Sequence, residues 1–373
     1  MTLLEHRSAT GHLAADGRAG AGRPPGDPDL VVCEPEQITP EWLSRVLGTE
    51  VTAVSTRPVG TGQIGSGVLA RLEGPDVPPT LFVKLPTADP GMRPFLDGPY
   101  RAEVAFYAEL APTVAVRTPG CHLAAAAGPG EFTLVLDDVT PLVQADQMRG
   151  LTPGQAMDCA VNLAGLHGPR WCDPTLERID GIQRPSVEEN EQLAEMAGPT
   201  VEAFLAEMGD HLSDAERAVC EELPSLVGRW ANGRSERFAP IHQDFRADNM
   251  LVDEAGVLPS LAVDFQTLTI GLPGRDLGFM LASSLDVDAR RAFERGIVAA
   301  YHHGLRAHGV TGYGLDTCWD DYLFGLLQGP VIGTFGWLYG SRTPRGDEMF
   351  ATIMRRCCRA IADHDALDLV RAA

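Results

Sequence analysis

The chain has 373 residues, of which 44% are hydrophobic, and this length and composition suit a soluble globular protein with one large domain or two smaller ones. Its 51 acidic and 30 basic residues give a formal net charge of -21, which argues against nucleic acid or an anionic membrane surface as the main partner. The eight cysteines are scattered, and no apolar run approaches the roughly 18 residues of a membrane helix, so we expect a cytoplasmic protein with reduced thiols.

The chain begins with a stretch rich in Gly, Ala, Pro and charged residues, and we predict a disordered tail over residues 1–29. A short helix follows in the segment ITPEWLSRVLG. Thr39 can cap this helix, Pro40 suits its first position, and Gly48 can end it. The ordered part of the chain is therefore predicted to begin near residue 30.

The next region alternates between short apolar runs and Gly or Pro. The runs EVTAVSTRPV, GVLARLE and PTLFVKLP predict three antiparallel strands. From Tyr100 the segment YRAEVAFYAEL has helical spacing, and the later runs VRTPGCHLAAAA and EFTLVLDDV are again strand-like. We therefore predict, over residues 30–139, a five-stranded sheet with one inserted helix.

The second half, residues 140–373, is predicted to be mostly helical. Its first helix has a capping box, in which Thr152 is the cap, Pro153 takes the first position and Gln155 closes the box. Helical periodicity continues through 187–231, 288–307 and 316–366, whereas 241–270 has the pattern of short strands and loops. The expected fold class is α+β, with a sheet-containing lobe followed by a helical lobe.

The segment IHQDFRADNMLV, residues 241–252, has the residue types that phosphoryl transfer requires, which are a proton acceptor and oxygen ligands for metal ions. We predict that Asp244 orients the attacking hydroxyl, that Asn249 binds a magnesium ion, and that Asp264, at the end of SLAVDFQ, bridges metal and nucleotide phosphates. Each fragment alone is a weak signal, because an Asp after a strand often caps a turn. The order and spacing of the fragments together favour the catalytic interpretation.

Lys84, in LFVKLP, is a single basic residue among apolar neighbours on a predicted inner strand. Burying it without an anionic partner would be unfavourable, and Glu103 is the candidate partner. The alternative is that Lys84 extends to solvent at the end of its strand.

These motifs resemble the aminoglycoside phosphotransferase and choline-kinase superfamily, and within it the ecdysteroid-kinase-like (CHK-like) branch, which is distantly related to protein kinases. The resemblance runs from about Val51 to Ser284 and is densest in GTGQIG, IHQDFRADN and VDFQTLTIGLPGRDLGFML. It implies a protein-kinase-like two-lobe fold, with a nucleotide-binding N-lobe over 30–139 and a C-lobe over 140–373 that holds the catalytic loop and the acceptor pocket. It also implies ATP and Mg2+ as cofactors.

By the same resemblance, Lys84 binds the α and β phosphates of the nucleotide and Glu103 orients it. The glycine-rich turn brings backbone N–H groups close to phosphate, and backbone groups of Asp137 and Val139 meet the adenine edge. The candidate nucleotide-binding residues are Gly60, Gly62, Gly65, Ser66, Lys84, Glu103, Asp137 and Val139.

Arg246 matches the position where many protein kinases place a Lys against the transferring phosphoryl group, so it is a second candidate catalytic residue. An ion pair with Asp248 or another loop carboxylate is the alternative. Asp276 is expected to support the catalytic loop, and His167 to be structural. Gln243 stands where the family often has Gly, and Gln266 where protein kinases have the Gly of Asp-Phe-Gly.

The sequence therefore predicts a phosphotransferase that moves the γ-phosphoryl group of ATP to a hydroxyl of a small organic molecule. The alternatives are an aminoglycoside-inactivating kinase of antibiotic resistance, which the acidic composition weakly favours, and a nucleotide-binding regulator without activity. We expect no nucleic-acid or membrane partner, and a monomer or homodimer.

Overall fold

The computed structural model of the chain describes residues 26–59, 64–340 and 342–373. Residues 1–25 of the predicted tail therefore lie outside the described part. The described chain starts with a short 3-10 turn at Pro28–Leu30, and Leu30 is buried. The predicted helix follows as α1, Pro40–Leu47, whose cap Thr39 accepts a hydrogen bond from the Trp42 backbone N–H. The helix ends at Gly48, whose φ of +69° is the left-handed conformation that glycine adopts readily.

Five antiparallel strands form the sheet of the N-lobe, in the spatial order β1-β2-β3-β5-β4. The predicted five-stranded sheet is therefore confirmed. The strands are β1 Ala53–Val59, β2 Gly65–Glu73, β3 Thr80–Pro86, β4 Cys121–Ala126 and β5 Phe132–Asp137.

The two faces of this sheet pack against different elements. Successive side chains of a strand point to opposite faces, so Val83 and Leu85 belong to a small core with Trp42 and Leu43 of α1. Lys84, between them, points to the other face of the sheet, where the inserted helix lies. The alternation of β3 thus places the Lys84 ammonium group on the face of the sheet that the inserted helix covers.

The inserted helix, α2, spans Asp97–Ala105 and continues as a π-helical turn at Phe106–Leu110. The sequence pattern predicts a regular helix that starts near Tyr100. The observed helix starts three residues earlier, and its last turn is π-helical. Phe106 of the wide turn stacks on Phe265, and Tyr107 packs edge-on against the same ring. A single π turn is hard to distinguish by periodicity from an α turn, because five residues do not resolve the two periods.

The C-lobe is built of helices with short strands between them, as predicted. Its helices are α3 Pro153–His167, α4 Val187–Met208, α5 Asp214–Asn232, α6 Gly274–Ser284, α7 Val287–Ala307, α8 Leu315–Gly325, α9 Gln328–Tyr339, α10 Pro344–Asp363 and α11 Ala366–Arg371. Its strands are β6 Val143–Gln144, β7 Ala239–Ile241, β8 Met250–Val252, β9 Leu261–Ala262 and β10 Thr269–Gly271. In the described ranges, no helix combines the length and apolar character needed to cross a bilayer.

The short strands of the C-lobe hold the predicted catalytic segment, residues 241–252. β8 pairs with both β6 and β9, and β7 pairs with β10. The loop between β7 and β8 contains Asp244 and Asn249, and Asp264 is the second residue after β9. The large core lies beneath, and it includes Phe245, Ala247 and Met250 from the catalytic segment itself. The loop is thereby fixed from below by apolar burial while its polar side chains remain above.

Candidate active site

Lys84 joins the two lobes through two carboxylates. Its Nζ lies 2.7 Å from Glu103 Oε2 and 2.9 Å from Asp264 Oδ1. Glu103, on α2, is only 1% exposed, whereas the side chain of Asp264 is 42% exposed. The predicted pairing of Lys84 with Glu103 is thus present in the structure, and the predicted alternative of a solvent-directed Lys84 is not.

The electrostatics of this group follow from its burial. Burial alone would lower the pKa of Lys84, but Glu103 and Asp264 outweigh it and raise that pKa above its usual value. Burial alone would raise the pKa of Asp264, but the charge of Lys84 holds it below its usual value. Glu103 shares Lys84 with Asp264, and burial raises the pKa of Glu103 to about 7 despite the Lys84 charge. Glu103 therefore titrates near neutral pH, while Lys84 and Asp264 stay ionised.

The catalytic segment brings Asp244 and Asn249 together. Asn249 Nδ2 donates hydrogen bonds to the Asp244 carbonyl oxygen at 2.7 Å and to its Oδ2 at 2.8 Å. Both Nδ2 protons of Asn249 are thereby directed at Asp244, so the amide oxygen of Asn249 faces the other way. The side chain of Asp244 is 23% exposed, which leaves its carboxylate accessible from one side.

The β8–β9 pairing places Asn249 beside Asp264. The register pairs Met250 with Ala262, and the Val263 backbone N–H donates to the Asn249 carbonyl oxygen at 3.0 Å. Asp264 follows Val263 and has a left-handed backbone, with φ +68° and ψ 64°. This conformation is uncommon for a residue other than Gly and is least costly for Asp and Asn. The strand pairing thus puts the two predicted metal ligands at the same end of a hairpin.

The side chains of Asn249 and Asp264 have the oxygen ligands that suit a magnesium ion. Asn249 offers an amide oxygen and Asp264 a carboxylate, both hard oxygen ligands of the kind that Mg2+ prefers. Asp264 remains ionised for the reason given above, so its charge is available to a cation.

Arg246 forms ion pairs inside the catalytic loop. Its Nε lies 2.9 Å from Asp244 Oδ1, and its Nη1 lies 2.8 Å from Asp248 Oδ2. Nη1 also lies 3.6 Å from the sulfur of Met349 on α10. These contacts favour the predicted ion-pair alternative for Arg246 over a direct contact with the phosphoryl group.

Asp276 supports the catalytic loop from below. It is fully buried on α6, and its two carboxylate oxygens accept hydrogen bonds from the backbone N–H groups of His242, at 2.6 Å, and Gln243, at 2.8 Å. His167 lies 3.2 Å from the same carboxylate and 2.7 Å from the Tyr301 hydroxyl, in a fully buried position. Both residues therefore have the structural positions that the sequence predicts for them.

Gln243 has a positive φ of +66°, which explains why glycine suits this position. Two hydrogen bonds hold the backbone there, because the Gln243 N–H donates to Asp276 and its carbonyl oxygen accepts from Gln328 Nε2 at 2.8 Å. Gln328 is the first residue of α9 and is 3% exposed. Sequence reasoning did not identify Gln328, because nothing in the local pattern of α9 reveals a contact with a loop 85 positions earlier.

Part of the glycine-rich turn lies outside the described residues, including the candidates Gly60 and Gly62. Gly65 stands at the start of β2, where an added Cβ would lie 3.1 Å from the Leu85 carbonyl oxygen and 3.7 Å from Lys84 Cε. Ser66 pairs with Leu85 in the β2–β3 ladder. The Tyr100 hydroxyl, which sequence reasoning missed, donates to the Ile64 carbonyl oxygen and so ties α2 to this turn.

Gln266 has an unsatisfied donor next to the glycine-rich turn. Its side chain is 6% exposed, and its Nε2 makes no hydrogen bond within the described residues. This nitrogen lies 4.0 Å from the position that a Cβ on Gly65 would take. A buried amide with an unused donor is unfavourable unless something else accepts its hydrogen bond.

The predicted hinge residues, Asp137 and Val139, follow β5. The Asp137 N–H donates to the Gly120 carbonyl oxygen at 2.9 Å, and the Val139 carbonyl oxygen accepts from Leu142 at 3.0 Å. These two groups are therefore already bonded within the protein. The Val139 N–H has no hydrogen-bond partner in the described ranges, and its predicted contact with an adenine edge stays a prediction.

The sequence and the fold both resemble those of known proteins. The model of the phosphotransferase enzyme family (APH) matches residues 57–311, which is more than half of the chain. No curated protein matches the sequence.

Solved structures share the fold at low sequence identity. Choline kinase from Cryptosporidium parvum Iowa II superposes with a TM-score of 0.56 at 10% identity, covering 84% of this chain and 91% of that chain. The GDP and kanamycin complex of APH(2")-IIia gives a TM-score of 0.52 at 16% identity, covering 84% of this chain and 95% of that chain. Ethanolamine kinase from Plasmodium vivax gives 0.51 at 11% identity, with 83% of each chain covered.

The structural likeness confirms the predicted protein-kinase-like fold of two lobes. The predicted ecdysteroid-kinase-like branch is finer than these matches and stays a prediction. The family match carries the functional conclusion: the chain belongs to the phosphotransferase enzyme family (APH).

Proposed function

We propose that the protein transfers the γ-phosphoryl group of ATP, with magnesium, to a hydroxyl group of a small organic molecule. The observation that carries this proposal is the contact of Lys84 with both Glu103 and Asp264, because it joins a phosphate-binding cation of the N-lobe to a metal-binding carboxylate of the C-lobe. Such an arrangement fits a nucleotide bound between the lobes.

Asp244 is the proposed proton acceptor. The acceptor hydroxyl donates a hydrogen bond to the accessible carboxylate of Asp244 and passes its proton to it as the new bond from oxygen to the γ-phosphorus forms. The bond between the γ-phosphorus and its bridging oxygen breaks, and ADP leaves with that electron pair. Asn249 holds Asp244 in place through two hydrogen bonds, and Arg246 holds the other carboxylate oxygen.

Lys84 binds the α and β phosphates in this proposal, and Glu103 keeps its ammonium group in position. Asn249 and Asp264 are the proposed ligands of Mg2+. When bound, the ion supplies charge neutralisation at the phosphate oxygens. The remaining nucleotide contacts that we propose are the turn residues Gly60, Gly62, Gly65 and Ser66, the hinge residues Asp137 and Val139, and the unused Nε2 of Gln266.

A product assay tests the proposal. The protein is incubated with ATP, magnesium and a panel of hydroxylated compounds, and mass spectrometry detects an added phosphate. The variant Asp244→Asn is expected to lower turnover by at least about a hundredfold while ATP affinity, measured by calorimetry, stays within about twofold.

Two results would contradict the proposal. Full activity of Asp244→Asn would rule out the assigned base. Tight ATP binding without any phosphorylated product or ATP hydrolysis would favour the predicted alternative of a nucleotide-binding regulator. The cytoplasmic location and the monomeric or homodimeric state stay predictions, because neither assay measures them.

A further inference from the structure

Side chains hold the backbone of the loop that leads into the proposed base, Asp244. The backbone carbonyl oxygens of His242, Gln243 and Asp244 each accept a hydrogen bond of 2.7 to 2.8 Å. The donors, in the same order, are Thr267, Gln328 and Asn249. Thr267 and Asn249 lie close to the loop in the sequence, whereas Gln328 comes from α9, 85 positions after Gln243. Gln328 therefore ties the loop to a separate helix.

The backbone of Gln243 needs such a contact. Its φ of +66° is disfavoured for a residue that has a Cβ atom, and such a conformation persists where surrounding contacts enforce it. Asp276 holds the peptide group before Gln243 through the Gln243 N–H, and Gln328 holds the peptide group after it through the carbonyl oxygen. The direction in which the chain enters Asp244 therefore depends on Gln328.

The first turn of α9 is itself firmly placed. Gln328 is the first residue of the helix and is 3% exposed. An added Cβ on the next residue, Gly329, would overlap the sulfur of Cys357 on α10 and would lie 3.6 Å from the ring of Phe279 on α6. Close packing on two sides thus fixes this end of the helix. A side chain on so rigid an element can position a loop accurately.

The other contacts of Asp244 do not replace this one. Arg246 and Asn249 hold the Asp244 carboxylate, but both belong to the same segment, residues 241–252. They fix the carboxylate relative to the loop, whereas Gln328 fixes the loop relative to the helices of the C-lobe. A displacement of a catalytic group by about 1 Å can lower a rate about a hundredfold. A contact that prevents such a shift acts on the reaction.

We infer that Gln328 is a positioning residue for phosphoryl transfer. Its amide donates to the Gln243 carbonyl oxygen, keeps Gln243 in the positive-φ conformation and thereby directs the Asp244 carboxylate at the acceptor hydroxyl. This inference rests on the proposed function, in which Asp244 accepts the proton, and adds a residue of α9 to it. Because Gln328 acts through Asp244, it influences kcat and leaves ATP binding unchanged.

The variant Gln328→Met tests this role, because it keeps the approximate length of the side chain and removes the donor. The probe is ATP with magnesium and with water as the acceptor, so that no acceptor has to be identified. The kcat for ATP hydrolysis is expected to fall about thirtyfold, while KM for ATP stays within about twofold.

Thr334→Val is the matched control. Thr334 is buried on the same helix, and its hydroxyl donates to the Pro330 carbonyl oxygen at 2.8 Å. The variant therefore loses one buried hydrogen bond of α9 at a distance from the loop, and its kcat should equal that of the unmodified protein. If Gln328→Met does not fold in a thermal unfolding experiment, Gln328→Asn takes its place, because its amide is one methylene too short to reach Gln243.

A second substitution tests whether the conformation of Gln243 is the cause. Glycine adopts a positive φ without the penalty of a Cβ atom, so the loop depends less on Gln328 in Gln243→Gly. Adding Gln328→Met to Gln243→Gly should lower kcat by at most about threefold, against about thirtyfold in the unmodified loop. A role of Gln328 in helix stability alone would give the same factor in both backgrounds.

Amide hydrogen exchange reports on the loop without any turnover. Peptides that cover residues 241–252 should exchange at least about tenfold faster in Gln328→Met than in the unmodified protein, and no faster in Thr334→Val. Unchanged exchange, unchanged kcat, an equal loss in Thr334→Val or the same factor in both backgrounds would overturn the inference.

The proposed function and this inference fail in different ways. ATP hydrolysis that is lost in Asp244→Asn but fully kept in Gln328→Met would overturn the inference alone. Absence of all ATP turnover in the unmodified protein, with every acceptor tried, would instead overturn the proposed function.

Discussion

The two sides of the catalytic loop are built from opposite kinds of side chain. On the proposed nucleotide side, Lys84, Glu103 and Asp264 form a chain of ionic contacts of 2.7 to 2.9 Å that crosses between the lobes. On the proposed acceptor side, Gln328 at the start of α9 contacts the loop, and the partly exposed apolar side chains of Ile332 and Phe335 follow on the same side of that helix. The nucleotide side must place fixed charges around one constant ligand, whereas the acceptor side needs only a surface of suitable shape and polarity.

This comparison predicts that substitutions on the nucleotide side change ATP binding and turnover whatever the acceptor is. The largest effect is expected for Asp264→Asn, which removes a proposed metal ligand and one partner of Lys84. Turnover should fall by about a thousandfold, and ATP affinity measured by calorimetry should lose most of its magnesium dependence. Asp316→Asn, an exposed change on α8, is the control. If Asp264→Asn binds ATP with magnesium as tightly as the unmodified protein does, Asp264 is not a metal ligand.

Arg246 stands at the border of the two sides, because it contacts Asp244, Asp248 and Met349. Arg246→Ala is expected to lower kcat by tens-fold with ATP affinity retained, since it frees the proposed base from one of its two restraints. Arg246→Lys should recover only part of this loss, because an ammonium group cannot bind both carboxylates with the same geometry. Unchanged turnover of Arg246→Ala in steady-state assays would exclude a role of this residue in phosphoryl transfer.

The pKa of Glu103, raised to about 7 by burial, predicts a pH dependence on the nucleotide side. Below this pH Glu103 is protonated and holds Lys84 less firmly, so kcat/KM for ATP should fall as the pH decreases through about 7. The decrease should be roughly tenfold per pH unit at the acidic end. In Glu103→Gln the residue cannot titrate, and this limb of the profile should disappear at a lower overall activity. A limb that persists in Glu103→Gln would have to come from another group.

The smallest effect is expected for Gln266, whose Nε2 is an unused donor near Gly65 and Lys84. If this donor meets a nucleotide phosphate, Gln266→Met should raise KM for ATP about threefold to tenfold with kcat little changed. Met keeps the approximate shape of the side chain, and a thermal unfolding curve reports whether the fold is retained. An unchanged KM would show that the Gln266 amide does not serve the nucleotide.

The side-chain contacts on the proposed nucleotide side were largely predictable from the sequence, and those on the proposed acceptor side were not. A lone Lys84 on an apolar strand and a Glu103 on the next helix form a local signal, and so do Asp244 and Asn249 on one loop. The contact of Lys84 with Asp264 joins residues 180 positions apart and emerged only from the folded chain. The contact of α9 with the catalytic loop could not be assigned, because an apolar helix face has the same pattern whether it packs in a core or lines a pocket.

The sequence by itself determined which chemical groups are present and which local elements hold them. Capping residues set the starts of α1 and α3, alternation set the inward face of β3, and motif spacing identified Asp244, Asn249 and Asp264. Only the tertiary structure decided what these groups contact. It engaged Arg246 in ion pairs, left Gln266 with an unused donor, and set α9 beside the catalytic loop. The physical reason is that periodicity and capping are local properties of the chain, whereas such contacts depend on how distant elements pack.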